Sequence, residues 1–168
     1  MLFGLSLFGI AGYVGYTQVL KTNQVYTPVS VNNYSNTSNN LILSGNDRQD
    51  MLLYLNATRK QHGLNELRWD SSLYNVAQYW ANECVKYNIV EHNFNGSSPS
   101  IRAFQYGITG PGTIIEVMSK TYSAQKAMIN FMNSPSHRQG CLTSGLSKAG
   151  VGVSNTQDGM KLFVIDMM

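Results

Sequence analysis

Charge is what this sequence has least of. Only 12% of its 168 residues are Asp, Glu, Lys or Arg, about half the ~25% usual in globular chains. The formal net charge is +3, and the basic residues are scattered. There is no basic stripe or block of like charge, which argues against a nucleic-acid partner. Cysteine is scarce too. Two residues are too few for a disulfide-framework miniprotein and wrongly spaced for a zinc ribbon. What is present is 43% hydrophobic residues, enough for a packed core and too many for a disordered chain. The length suits one ordinary domain.

The missing charge is unevenly distributed. The first charged side chain is Lys21. A helix from Met1 to Leu20 would be about 30 Å long, enough to cross the hydrocarbon core of a bilayer. A cleaved signal peptide would need a basic start and a small-x-small cleavage site, and Gly9-Ile10-Ala11 serves poorly. A buried helix of a soluble domain would be weakened by Gly4, Gly9, Gly12 and Gly15, which membrane helices tolerate better. Residues 1–21 are therefore read as a single-pass transmembrane anchor or uncleaved signal. Residues 22–45 are Asn/Ser/Thr-rich without helical period and read as a linker. The chain carries N-x-S/T triplets at Asn33, Asn36, Asn56 and Asn95. About three such matches are expected by chance from composition alone, so they carry little weight.

The folded domain is expected over residues 46–168. Asp47 and Asp50 suggest a capping-box-like helix start, Met51, Tyr54, Leu55, Thr58 and His62 share a face, and Gly63 is a fitting stop. His62 reads as a helix-end residue beside the negative dipole end. A second helix follows Asp70 or Ser71. In it Leu73, Val76, Ala77, Trp80, Ala81, Cys84 and Val85 keep the i, i+3, i+4 rule without a miss. A third spans Ser123 to Met132 and is ended by Pro135. The period then changes. Ala149, Val151 and Val153 alternate with Gly150, Gly152 and Ser154, and Leu162 to Met167 follows as a central strand after an Asp158-Gly159 turn. Thr113 to Ser119 is β-prone as well. Helices followed by strands predict an α+β domain with helices packed on a small antiparallel sheet.

Three ionisable residues sit in unusual surroundings. His92 lies just past the second helix. Glu116 is the only acid in the apolar run Thr113 to Met118. His137 follows the expected helix stop at Pro135. A carboxylate on a two-faced apolar segment is costly unless it is paired. Two histidines and a carboxylate suit a divalent metal with an open position, or a histidine base oriented by Glu116. Each residue taken singly also reads as an ordinary structural hydrogen-bonding group.

The run from Leu55 to Leu73, with the spacing LN..R...GL..L.WD..L, is followed by Ala77, Ala81 and His92. It resembles the opening of the CAP superfamily: cysteine-rich secretory, antigen 5 and pathogenesis-related 1 proteins, with the bacterial SCP-like extracellular branch closest. Ser134-Pro135-Ser136-His137-Arg138 is similar to the SPxHR element of that branch, and Gly150 to Val153 to its first long strand. The resemblance spans about Asp47 to Met168. It implies an α-β-α sandwich with a three-stranded antiparallel sheet between helices. It also implies a cleft where His92, Glu116 and His137 converge, sometimes around zinc or magnesium, with His92 and His137 as the metal-ligand candidates. There are departures. The family's G-E-N element reads Ile115-Glu116-Val117, the Trp usual before SPxHR is Phe131, and a second cleft Glu and a later His are missing. The fold looks kept and the cleft edited.

Cys84 and Cys141 fit two readings. Both suit small buried hydrophobes. As a disulfide they would close a loop of about 57 residues, worth roughly 4 kcal/mol in the chain-entropy model.

Three functions follow as expectations. The first is a membrane-anchored, non-enzymatic binding or assembly module on the exoplasmic side. Its partners would be the membrane, through residues 1–20, and proteins or lipids. The second is a structural subunit of a large membrane-associated assembly, a virus particle included. The third is a metal-assisted hydrolase using His92, Glu116 and His137. The soluble part is expected to be extracellular or lumenal, and secreted if the N-terminal segment is cleaved.

Overall fold

The computed structural model describes residues 44–109 and 112–168. The expected transmembrane anchor and nearly all of the linker lie outside these residues. Among the described residues no helix is long and apolar enough to cross a membrane.

The elements run α1 Asp47–Gln61, β1 Arg68–Trp69, α2 Ser71–Tyr87, α3 Pro99–Gln105, β2 Ile115–Thr121, α4 Ala124–Asn133, α5 Pro135–Cys141, β3 Lys148–Asn155 and β4 Lys161–Met167. The sheet has four strands in the order β1-β3-β4-β2. The last three pair antiparallel, and two-residue β1 adds a parallel edge to β3. This corrects the expected three-stranded sheet by one short strand. The central position expected for Leu162 to Met167 is observed, with β4 between β3 and β2.

Strand alternation divides the core in two. Val117, Val151, Phe163 and Ile165 point to the face covered by α1 and α4, where they join Met51, Leu55, Phe131 and Met132. Met118, Leu162 and Val164 point to the other face, against Ala77, Trp80, Ala81 and Cys84 of α2. The glycines of β3 let α2 approach closely. A Cβ on Gly150 would lie 2.0 Å from the Tyr74 backbone nitrogen, and one on Gly152 would lie 2.3 Å from the Ala77 carbonyl carbon. Side chains at either position would push the helix off the sheet.

Local expectations were met and corrected in equal measure. Asp70 caps α2, its carboxylate accepting from Ser72 N and Leu73 N. Ser123 caps α4. Asn46, not Asp47, caps α1. Asp50 reaches back beyond the cap to accept from Ser44 N and Oγ, because Asn46 already serves the first turn through Arg48 N. His62 is the C-cap of α1 and Gly63 follows it with φ +70°. Pro135 does not simply end α4 but opens α5 at its first position, which needs no N–H donor. The Asn56 side chain is bound on both sides to the Leu67 backbone.

The disulfide reading is also corrected. Cys84 and Cys141 are both free and buried. Cys84 belongs to the α2-side cluster and Cys141 to the α1/α4-side cluster, so the sheet lies between them. A disulfide needs Cα atoms within about 7 Å, and packed layers are about 10 Å apart. Burial pushes the Cys84 thiol up to about 11 and the Cys141 thiol up to about 12. Both behave as buried hydrophobes.

Candidate functional site

The site forms at the β2 edge of the sheet. Asn88 ends α2 in the left-handed region, φ 53°, which turns the chain out into a polar loop carrying His92. Asn95 and Gly96, both at positive φ, make the tight turn between Phe94 and Ser97. Ser98 then caps α3, with Pro99 in its first turn. This places Arg102 in the middle of α3, pointing inward and fully buried. From the other side, α5 lies close on β2. A Cβ on Gly140 would sit 3.1 Å from Val117 Cγ1 and 3.2 Å from Ile115 Cγ2. That contact brings His137 to the same edge.

Glu116 is the hub. Its side chain is 1% exposed. Oε1 accepts from His92 Nδ1 at 2.8 Å, and Oε2 accepts from Arg102 Nη2 at 2.6 Å. A carboxylate only accepts, so Nδ1 carries the proton of this bond. The His92 side chain is 44% exposed. His137 lies beside it, with ring centroids 6.4 Å apart, and against Phe131 at 5.6 Å. Burial, then the neighbouring His92, lowers the His137 pKa below its ordinary value. The three residues singled out from sequence are thus brought to one place, with only the His92–Glu116 pair hydrogen-bonded.

Two further members were not anticipated. Arg102 stacks on Trp80, its guanidinium carbon 3.7 Å from the ring centroid. Its Nη1 donates to His92 O at 3.1 Å and to Ser97 Oγ at 3.3 Å. The other is Asp166, directly across the strands from Glu116 and fully buried. Among the described residues, neither carboxyl oxygen of Asp166 has a hydrogen-bond partner, nor does Arg102 Nε. Burial first, then repulsion from Glu116, pushes the Asp166 pKa well above the carboxylate range, with Arg102 opposing. Burial and the neighbouring Glu116 carboxylate thus favour the protonated form of Asp166. One signal for Arg102 was in the sequence: it is the only charged residue between His92 and Glu116.

A metal ion does not fit this donor set. Both Glu116 oxygens and His92 Nδ1 are already engaged, and a buried guanidinium sits 2.6 Å from the carboxylate. A divalent cation would have to displace that charge or bear its repulsion in a low-dielectric site. Among the described residues no group of three or more His, Cys, Asp or Glu is placed to hold a metal. The expectation that His92 and His137 ligate zinc or magnesium therefore finds no support in the geometry. What the arrangement can do is orient the His92 ring on a buried, charge-balanced base.

Comparison with known proteins agrees with the architecture. Residues 52–167 match the family described as CAP, the cysteine-rich secretory protein family. An uncharacterized protein of Borreliella burgdorferi is 26% identical over 107 residues, covering 64% of this chain and 68% of its own length. An outer surface protein of Borrelia burgdorferi has a similar structure, with a TM-score of 0.66 at 23% identity, covering 73% of this chain and 93% of that one. An extracellular protein containing an SCP domain from Bacillus anthracis follows at a TM-score of 0.62 and 20% identity, covering 71% of this chain and 39% of that one.

Proposed function

Because this chain belongs to the CAP family of cysteine-rich secretory proteins, we propose that it is a non-enzymatic binding or assembly module held on the exoplasmic side of a membrane through residues 1–20. The observation that carries the non-enzymatic part is the state of Glu116. Both its oxygens are committed to His92 and Arg102, and it is buried. A buried carboxylate already accepting from two partners is poorly placed to activate water, and the donor set does not suit a metal. The charge-free first twenty residues and the polar linker after them support the tether. The exoplasmic placement is supported by similar proteins described as an outer surface protein and an extracellular protein. Exposed apolar side chains on α3 and its C-cap, Ile101, Phe104 and Tyr106, offer contact area.

The hydrolase reading has one observation in its favour, the 2.8 Å His92–Glu116 pair that would orient a histidine base. It is the weaker reading, since it has neither a free carboxylate nor a fitting metal.

The test is fractionation of cells expressing the full chain. The chain should stay in the membrane pellet after alkaline carbonate extraction and be labelled by a membrane-impermeant amine reagent. Deleting residues 1–20 should release it. Recovery of the full chain in the soluble fraction, or from intact cells unlabelled, overturns the proposal. Hydrolysis of ester or peptide substrates that is lost in His92→Gln would favour the enzyme.

A further inference from the structure

We infer that the exposed face of α3 lies against the lipid surface of the membrane to which the chain is tethered, with Phe104 and Ile101 seated among the lipid chains and Tyr106 at headgroup level. The inference deepens the proposed function and rests on the tether proposed there. What it adds is which face of the domain turns to the bilayer.

The rotation of α3 about its own axis is set by Arg102. Its guanidinium is held inward by Glu116 and Trp80, so the residue two positions on, about 200° further round the helix, points out. That residue is Phe104, and it is 69% exposed. Ile101, three residues earlier and neighbouring it on the helix surface, is exposed as well. Tyr106, the C-cap, is exposed and packs on Tyr79 of α2 with ring centroids 5.8 Å apart. Behind Phe104 a groove of about 290 Å³ is lined by Ala103, Ile108, Ile114 and Met168. The apolar side chains thus run from α2 across α3 to the residue after β4, and are not singly scattered. Charge is absent from this lobe. From Asn93 to Ile115 the only acidic or basic side chain is Arg102, which is buried. Large apolar groups with tyrosine and no charge match the boundary of a neutral bilayer, where amphipathic rings collect.

The lipid surface is within reach. Ser44 sits with Val153 and Asn155 at one end of β3, and Met168 pairs with Lys148 at the other. The two ends of that strand are about 23 Å apart. Between Lys21 and Ser44 lie 22 residues. A flexible chain of that length has a root-mean-square span of about 26 Å and a limit of about 73 Å. The domain can therefore lie on the bilayer with its α3 end down, although the tether joins it at the opposite end. A protein partner would have to arrive from solution, whereas the bilayer is beside every tethered molecule. The tether sets an effective concentration on the order of millimolar, at which a weak apolar contact is populated.

The experiment uses the full chain in phosphatidylcholine vesicles, recovered by flotation. A polarity-sensitive fluorophore is attached at Ser100→Cys, on the rim of the groove, or at Gln157→Cys, in the exposed turn at the far end of the sheet. Cys84 and Cys141 are buried and stay unlabelled. Lipids carrying a nitroxide on the acyl chain should quench the Ser100→Cys label and leave the Gln157→Cys label bright. Quenching should persist at ~1 M salt, where exposed charges are screened. Phe104→Asp should abolish it while the chain still floats. Ile101→Ser combined with Phe104→Ser, which adds no charge, should do the same, with near-ultraviolet circular dichroism showing that both variants are folded. A chain that does not float overturns the tether and this inference together. A chain that floats with its Ser100→Cys label unquenched, or quenched no more than the Gln157→Cys label, overturns this inference alone. So does quenching that survives in both variants. A Ser100→Cys label shielded from water but not quenched by lipid overturns it too, and marks a second copy or another protein as the occupant.

Discussion

Replacing Asp166 by Asn should stabilise the protein at neutral pH, although it removes a buried acid from the middle of the site. Asp166 is fully buried, faces Glu116 across the strands, and among the described residues has no hydrogen-bond donor on either oxygen. Its folded pKa is raised well above the ordinary value, by burial first and by Glu116 second. In the unfolded chain the same group ionises near ~3.9. Below that pH both states hold the proton and the residue costs nothing. As pH rises above it, the unfolded chain releases the proton while the folded one keeps it. Stability then falls by about 1.4 kcal/mol per pH unit until the folded pKa is reached. If the proton is still held at pH 7, the cost is at most about 4 kcal/mol. An amide has no proton to release on unfolding, so Asp166→Asn removes this pH-dependent cost. The charged and polar neighbours are few: Glu116 on β2, and Arg102 from α3, with only Gly150 opposite on β3. The assay is urea unfolding of both proteins between pH 4 and pH 7. The two should be nearly equal at pH 4 and diverge in favour of Asp166→Asn as pH rises. A constant gap, or a variant less stable than wild type at pH 7, would refute the assignment of the proton.

Gly150→Ala should destabilise by about 3 kcal/mol or more, read as a drop in the urea midpoint, because its Cβ would meet the α2 backbone at 2.0 Å and a helix backbone cannot rotate away as a side chain can. Arg59→Met should cost roughly 3–6 kcal/mol by the same measurement. Arg59 is 1% exposed and donates to the carbonyls of Asn65, Cys141 and Thr143, which would lose their donors. Cys84 and Cys141, held up to about 11 and about 12, should resist a thiol reagent at pH 8 in the folded protein. Both should react on unfolding, and gel mobility should be the same with and without reductant.

Much of the fold was legible in the sequence because its strongest elements repeat a pattern many times. The α2 stripe offers seven concordant positions, and its first six, Leu73 to Cys84, are the buried residues observed. The Gly150/Gly152 alternation marked β3, and the two-faced apolar run marked β4 as central. What failed was short. Helix α3 spans seven residues between Gly- and Ser-rich segments, too few to show a period. Two-residue β1 has none at all. Pro135 was ambiguous because proline both ends one helix and begins another, and Ser134 serves as C-cap of α4 and N-cap of α5. At the site, His92, Glu116 and His137 could be picked out because each is a polar residue in a local context that disfavours it. Asp166 and Arg102 could not be placed, because what makes them important is the cross-strand register and the inward face of a helix without a readable pattern.

The register also shows the consequence of one departure from the family pattern. The family's G-E-N element has a flexible glycine and an amide around its glutamate, whereas here the flanking residues are Ile115 and Val117. Both are β-branched and favour extended backbone. Ile115, Glu116 and Val117 accordingly continue β2 as regular strand, paired with Met167, Asp166 and Ile165. A regular strand fixes the direction of every second side chain, so Glu116 is driven inward beside Asp166. Once that happens, the pair needs a cation that cannot leave, and a guanidinium pinned on Trp80 supplies one without depending on any external ion. The inward course of Glu116 and the buried Arg102 are then linked by charge balance. Restoring flexibility with Ile115→Gly should loosen the inward hold on Glu116 and weaken its contact with Arg102 along with it.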